Sequence, residues 1–369
     1  MSRQMLESFL QQYFQLFNGP ACFIWHGGEP LLAGIPFYEF ALDLQKNHCS
    51  KHQRVENLIQ TNATLITDQW AEFFRRSGFH VGVSIDGDAI AHDAFRIDKG
   101  GAGSFAKVWS GIEALRRHNV PFGVVMVLTA DNAERMRSIF RFLTEKVKAK
   151  NISINAFIDE YQYSRASSDT LKREQFAAAI RDCMDEWPQD DAEGLRLREV
   201  DSIVAGAMGK RSRACSFNGG CRNYFCVNHD GAIYPCDNFT NQPEMKLGNL
   251  TSESLSIILD GPIRSEVLSR FESIHTDCNR CQWYLVCHNG CPAQRVDGVE
   301  GKFFLCEDRR KLFSYTKRLL DMRRPDSYLK FRSSLKRANN YERFSYCTKK
   351  KSPSGGYSPG EATAQSQPK

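Results

Sequence analysis

Residues 278–292 read CNRCQWYLVCHNGCP, which places four thiols within fourteen residues at the spacing Cys278-x2-Cys281-x5-Cys287-x3-Cys291. Upstream, residues 215–239 read CSFNGGCRNYFCVNHDGAIYPCDNF, giving Cys215-x5-Cys221 and then Gly231-x4-Cys236, and Cys306 follows downstream. Of the 13 cysteines, nine lie between 215 and 306, while Cys22, Cys49, Cys183 and Cys347 are scattered. Cytoplasmic reductants argue against a disulfide framework, and clustered thiols in such a compartment usually bind metal. Short strands, glycine turns and cysteines make residues 215–310 read as too irregular to bury a core without metal cross-links.

On spacing alone, thiolate sites of this kind suit zinc or iron–sulfur. Number favours iron–sulfur: Cys215, Cys221, Cys236, Cys278, Cys281, Cys287, Cys291 and Cys306 make eight thiols, enough to ligate two four-iron clusters. The ninth, Cys226, alternates with apolar neighbours in YFCVN and reads as a core thiol. Cys22 reads as a strand residue, Cys183 as a helix residue, and Cys49 and Cys347 as exposed free thiols.

Ahead of the thiols, apolar runs at 21–25 (ACFIW), 57–61 (NLIQT), 80–86 (HVGVSID), 122–129 (FGVVMVLT) and 152–158 (ISINAFI) alternate with amphipathic helical patterns. Repeated strand–helix units predict an α/β fold with a parallel sheet or (β/α) barrel, whose loops after the strands carry the chemistry. Residues 159–214 read as a helical bridge, 316–351 as a basic helical segment, and 352–369, rich in Gly, Ser and Pro, as a disordered tail. At 369 residues, 41% hydrophobic and net charge +6, the chain is the size of an enzyme with two or three domains. The basic segment lacks a recognised nucleic-acid-binding pattern. No run approaches the roughly eighteen apolar residues of a membrane span, and the amphipathic start lacks a signal-peptide core, so neither nucleic acid nor membrane is expected and the cytoplasm is.

After the first strand comes FIWHGGEPLLAG, residues 23–34. Glycines let backbone approach a ligand closely, and Glu29 can accept from an ammonium group. Taken with the cysteine order, this resembles the radical S-adenosylmethionine (SAM) enzymes that carry a SPASM domain, above all the sulfatase-maturating enzymes and related peptide maturases, over residues 1–315. The resemblance implies a partial radical SAM barrel over 1–158 and a SPASM domain over 215–315. It also implies that Gly27, Gly28 and Glu29 match the GGEP motif that holds the amino group of SAM, with QTNATL and VGVSIDGDAIAHDAFR as further family-like segments. Ser84 and Arg96 are then expected toward the cofactor, with Asp86 beside them as a turn or contact residue, and His26, Gln60 and Asn62 toward substrate.

By the same resemblance one auxiliary [4Fe–4S] cluster takes Cys215, Cys221, Cys236 and Cys291, and a second takes Cys278, Cys281, Cys287 and Cys306. Asp237, directly after Cys236, occupies the place of the family's proton acceptor. The implied activity is oxidation of a Cys or Ser to Cα-formylglycine in a sulfatase. The alternative is cross-linking of a ribosomally made precursor peptide, toward which His26 leans because the maturases carry Gln at that place. The family draws electrons from a flavodoxin or ferredoxin. It also uses a C-x3-C-x2-C loop to bind the SAM-cleaving [4Fe–4S] cluster, and no such spacing occurs in the sequence. The chain is therefore expected to be N-terminally truncated or, as given, a non-catalytic iron–sulfur or substrate-recognition protein, which leaves its standing as an enzyme open.

Overall fold

A computed structural model of the chain describes residues 1–158, 169–187 and 194–321. Strands β1 (Ala21–Trp25), β2 (Val55–Thr61), β3 (His80–Ser84), β4 (Phe122–Leu128), β5 (Asn151–Ala156) and β6 (Arg196–Leu197) form one six-stranded sheet in that order. Each neighbouring pair is parallel. Parallel neighbours need a crossover, which the helices Ile35–His48, Asp68–Ser77, Phe105–Arg117 and Met136–Arg141 help supply. This is the winding of a (β/α) barrel, with the C-terminal strand ends on one rim.

The helix Asp68–Ser77 shows how sequence becomes packing. Thr67 caps it by accepting from the Trp70 amide, Gly78 closes it in the left-handed region, and Trp70, Ala71, Phe73 and Phe74 are buried on one face. Fully burying side chains of the size of Phe stabilises by roughly 1.5–3 kcal/mol each. Five strands fall where the apolar runs predict them. The sixth lies inside the segment read as a helical bridge: two residues give no period to read, and β6 is defined by its pairing of Asn151 with Arg196 and Ile152 with Leu197.

Beyond the sheet, β7 (Cys226–Val227), β8 (Ala232–Tyr234) and β9 (Gly248–Asn249) form an antiparallel trio, and β10 (Arg295–Val296) pairs with β11 (Lys302–Phe303). This part also buries an apolar core. Ile233, Phe239, Leu255, Ile258, Leu268 and Phe271 are buried in one cluster with Leu6, Phe9, Leu10 and Phe14 of helix α1 (Arg3–Leu16). The apolar residues sit singly in short elements, so no periodicity announces them, and α1 supplies the other face. Gln12 Oε1 also accepts from the Leu255 amide at 2.7 Å.

The helix Cys306–Asp321 returns to the sheet side, where Leu312 and Phe313 join the barrel core. Asp308 in its first turn accepts from the amides of Glu174 (3.2 Å) and Ala177 (2.8 Å). The basic segment beyond Asp321 and the tail lie outside the described residues. Among the described residues, no helix is long and apolar enough to cross a membrane.

Candidate active site at the barrel rim and the two thiol sets

At the ends of β1 and β2 the glycines and the carboxylate meet. Gly27 and Gly28 turn the chain with φ of +94° and +55°. Glu29 then accepts from the Leu31 amide at 3.0 Å, the Thr61 hydroxyl at 2.7 Å and the Asn62 amide at 2.8 Å. A carboxylate offers about four acceptor positions, so one remains for a further donor. Tyr38 donates to the Pro30 carbonyl at 2.7 Å, and burial, with Glu29 nearby, raises its phenol well above the usual range. Asn62 Oδ1 accepts from both the amide and the hydroxyl of Thr64, closing a local turn.

Next along the rim, Gln60 Nε2 donates to Ser84 Oγ at 2.9 Å. Gly82 makes room for that pair, since a Cβ there would meet Gln60 Oε1 at 2.1 Å. The sequence marks Gly82 only as a glycine in a strand, whose usual reading is close backbone approach.

Arg96 and Asp86 satisfy each other, with Nε on Oδ2 at 2.5 Å and Nη2 on Oδ1 at 3.1 Å, and Asp86 also accepts from the Val127 amide. The structure thus gives Arg96 an internal partner rather than joining it to the Glu29 loop. Beneath it, His92 Nδ1 accepts from the Asp86 amide, so Nε2 is the nitrogen that donates to Ser104 Oγ at 3.0 Å. Burial and then Arg96 hold His92 down to about 4.

Across the rim, His26 Nδ1 lies 3.5 Å from Asp237 Oδ2, both side chains about half exposed. This contact joins the loop after β1 to the turn after β8, residues separated by more than 200 positions. Cys236, which precedes Asp237, donates to Asp237 Oδ1 at 3.3 Å and accepts from the Asn238 amide at 3.4 Å.

Behind Asp237 the first set of thiols converges. Cys221 sits in the field of Cys291 and Cys215, Cys236 in that of Asp237 and then Cys291, and Cys291 in that of Cys215. Burial pushes Cys221 up to about 12 and Cys291 to about 11. Cys278, Cys281, Cys287 and Cys306 form the second set, lining one small cavity with Trp283, Phe303, Arg309 and Phe313. Burial raises Cys306 to about 11. Cys226 belongs to neither set. It packs at the edge of the α1 core, and burial raises it to about 11.

Buried thiols of this kind stay protonated unless a metal takes them as thiolates. Among the described residues no group of three His, Cys, Asp or Glu side chains is arranged to hold a single metal ion. Two sets of four thiols, one of them around a cavity, are donors of the kind that iron–sulfur centres take. The cavity also carries an orphan: Arg309 Nε is buried without a partner among the described residues. Sequence reading missed Arg309 and Arg295. Arg295 is 2% exposed and donates to the carbonyls of Asn289 and Val299, pinning the loop between Cys287 and Cys291. Neither arginine follows a pattern that would have singled it out.

Residues 5–143 match the radical SAM superfamily and residues 215–282 an iron–sulfur cluster-binding domain, SPASM. A serine-type anaerobic sulfatase-maturating enzyme of Bacteroides thetaiotaomicron is 31% identical over 341 residues, 87% of this chain and 82% of that protein. The chain belongs to the anaerobic sulfatase-maturating enzyme family. A cysteine-type relative from Clostridium perfringens is 29% identical over 320 residues, 85% of this chain and 86% of its own length. The solved structure of native anSMEcpe with bound AdoMet and Cp18Cys peptide superposes with a TM-score of 0.80 at 28% identity, covering 93% of this chain and 92% of that one. The two family domains imply iron–sulfur clusters and SAM.

Proposed function

We propose that this protein modifies a protein or peptide by SAM-dependent radical chemistry, oxidising a Cys or Ser of a sulfatase to Cα-formylglycine. The observation that carries the reading is the 3.5 Å approach of His26 to Asp237, which sets the GGEP loop against the residue that follows a thiol of the first set. In this reading Gly27, Gly28 and Glu29 hold the amino group of SAM, the remaining acceptor position on Glu29 receiving it, and Ser84 and Arg96 shape the rest of that pocket. His26, Gln60 and Asn62 face the substrate. Cys215, Cys221, Cys236 and Cys291 hold one [4Fe–4S] cluster, and Cys278, Cys281, Cys287 and Cys306 hold a second.

The C-x3-C-x2-C spacing that binds the SAM-cleaving cluster does not occur in this sequence. Where that cluster is supplied, it would with SAM provide the radical chemistry that removes one hydrogen from the substrate Cβ, and an auxiliary cluster would accept the remaining electron. Asp237 takes the proton of the substrate thiol or hydroxyl, and its half-exposed position lets that proton pass to solvent. His26 beside it fixes the direction of the carboxylate. The electron donor is a flavodoxin or ferredoxin and the compartment is the cytoplasm.

The test is anaerobic incubation of the protein isolated from its own source and reconstituted, with SAM, reductant and a sulfatase peptide bearing the target Cys or Ser. Expected products are a peptide aldehyde and 5′-deoxyadenosine, with the aldehyde rate in Asp237→Asn lower by roughly 10²–10⁴. A cross-linked precursor peptide and no aldehyde makes the peptide-cyclising alternative correct, for which His26 speaks. Bound clusters with no cleavage of SAM leave a non-catalytic iron–sulfur protein.

A further inference from the structure

We propose that Arg309 is a positioning residue for the second thiol set and raises the reduction potential of the cluster held there by donating a charged hydrogen bond to sulfur. This rests on the reading that Cys278, Cys281, Cys287 and Cys306 hold a four-iron cluster. Arg309 Nη1 lies 3.6 Å from Cys287 Sγ, within reach for an acceptor as large as sulfur, and 2.8 Å from the Ser216 carbonyl next to Cys215. The guanidinium cannot swing away: it is 4% exposed and lies 3.8 Å from the ring centre of Phe217 and 4.3 Å from that of Phe303. Its Nε is buried with no partner among the described residues, while the residue lines the same cavity as the four thiols. Buried donors in folded proteins nearly always find an acceptor. Besides cysteines and aromatic rings the cavity is lined by Asn289, whose Oδ1 already accepts from the Phe303 amide, and Arg310, which pairs with Glu307, so a cluster sulfur is the acceptor of the right kind.

Charge acts in the same direction. One-electron reduction takes [4Fe–4S]²⁺ to [4Fe–4S]⁺, adding one negative charge and moving no proton. A guanidinium keeps its charge at every accessible pH. Hydrogen bonds to sulfur, net charge and exclusion of solvent are the levers that set such potentials, and Arg309 supplies the first two in a place that provides the third. Arg295 is the contrast, since its hydrogen bonds go to the backbone carbonyls of Asn289, Val299 and His288.

The experiment is a redox titration, monitored by electron paramagnetic resonance, of the whole chain reconstituted anaerobically with iron and sulfide and reduced with dithionite. In Arg309→Gln one of two one-electron waves is expected to become about tenfold harder to reduce, a shift of about 59 mV, while the other moves less and the iron and sulfide content stays at the parent value. Arg309→Lys, which keeps the charge without the planar fork, is expected to shift the same wave by a smaller amount. Two unmoved waves in a fully loaded Arg309→Gln protein overturn the proposal. If that variant loses iron, Arg309→Lys decides: a lowered wave supports the proposal, and an unmoved wave overturns it. Loss of iron in both variants also overturns it, because Arg309 is then needed for assembly and not for tuning. A parent protein whose iron content does not fall on Cys281→Ala shows that the cluster reading itself is wrong, a result distinct from an unmoved wave.

Discussion

Strand β2 and the short strands β7 to β9 both bury apolar side chains, yet their neighbours come from different distances along the chain. Thr61, at the end of β2, holds Glu29 from the loop after the adjacent strand β1, and Ile59 packs in a core made largely of the sheet and its own crossover helices. Ile233 in β8 is buried in one cluster with Leu6, Phe9 and Leu10, residues from the far end of the sequence. The thiols beside it are scattered over turns, where only a shared centre would give them a common purpose. Order in the sheet is thus close to a local property. In the cysteine-rich part it draws on the distant helix α1, and the expected clusters would add a second outside contribution.

The largest effect that would break this contrast is metal removal. Chelating iron anaerobically, or replacing Cys221 or Cys281 by Ala, is expected to cost about half the iron for each single substitution. Removing all the iron should turn residues 215–310 protease-sensitive while amides of β3 and β4 keep their protection from hydrogen exchange. Equal loss of protection in both parts would erase the distinction. Next comes Leu10→Ala, expected to destabilise by about 2–5 kcal/mol, as large-to-small core changes do. Exchange should then rise most at residues 232–271, far from the substitution in sequence, and a rise confined to residues 1–48 would count against a shared core.

His92 sharpens the other side of the contrast. Its pKa near 4 in the folded chain, against about 6.5 unfolded, means that the folded state binds fewer protons between those values. The stability it contributes is complete above about pH 6.5 and is lost as pH falls toward 4, with a ceiling of about 3 kcal/mol. Arg96 deepens the shift, while Asp86 and Asp93 oppose it. His92→Asn should flatten the pH dependence of unfolding in that window. An unchanged slope would place the titrating group elsewhere. The smallest effect is Thr67→Ala, expected to cost about 1 kcal/mol through loss of a helix cap, read from the denaturation midpoint with no change in the iron content of the far region.

The same contrast governs what could be read from sequence. Runs such as FGVVMVLT announce β4 because burial repeats along a single element, and GGEP together with the cysteine spacing carried the family because ligand chemistry fixes residue type and order. What stayed hidden depends on contacts across the chain. Strand β6 is two residues long, so only its partner β5 defines it. Arg309 is one basic residue among the 49 Lys and Arg, and its importance lies in Phe217, Phe303 and Cys287 around it. The meeting of His26 with Asp237 required the fold, since the resemblance gives each a role but nothing in the sequence sets the two side by side.

The packing of α1 on the cysteine-rich core has a consequence for synthesis. Residues 21–44 can cover part of the helix as soon as they emerge, with Phe23 and Leu44 in the same cluster. The face that meets Leu255 and Phe271 must wait for roughly 250 more residues, which at about 5–20 residues per second takes on the order of ten to fifty seconds. Throughout that interval a strip of Leu and Phe side chains is open to whatever the ribosome's surroundings offer, and closing so distant a contact is slow in any case. The nascent chain therefore depends on being shielded until its cysteine-rich part arrives, and slowing translation should raise its tendency to aggregate.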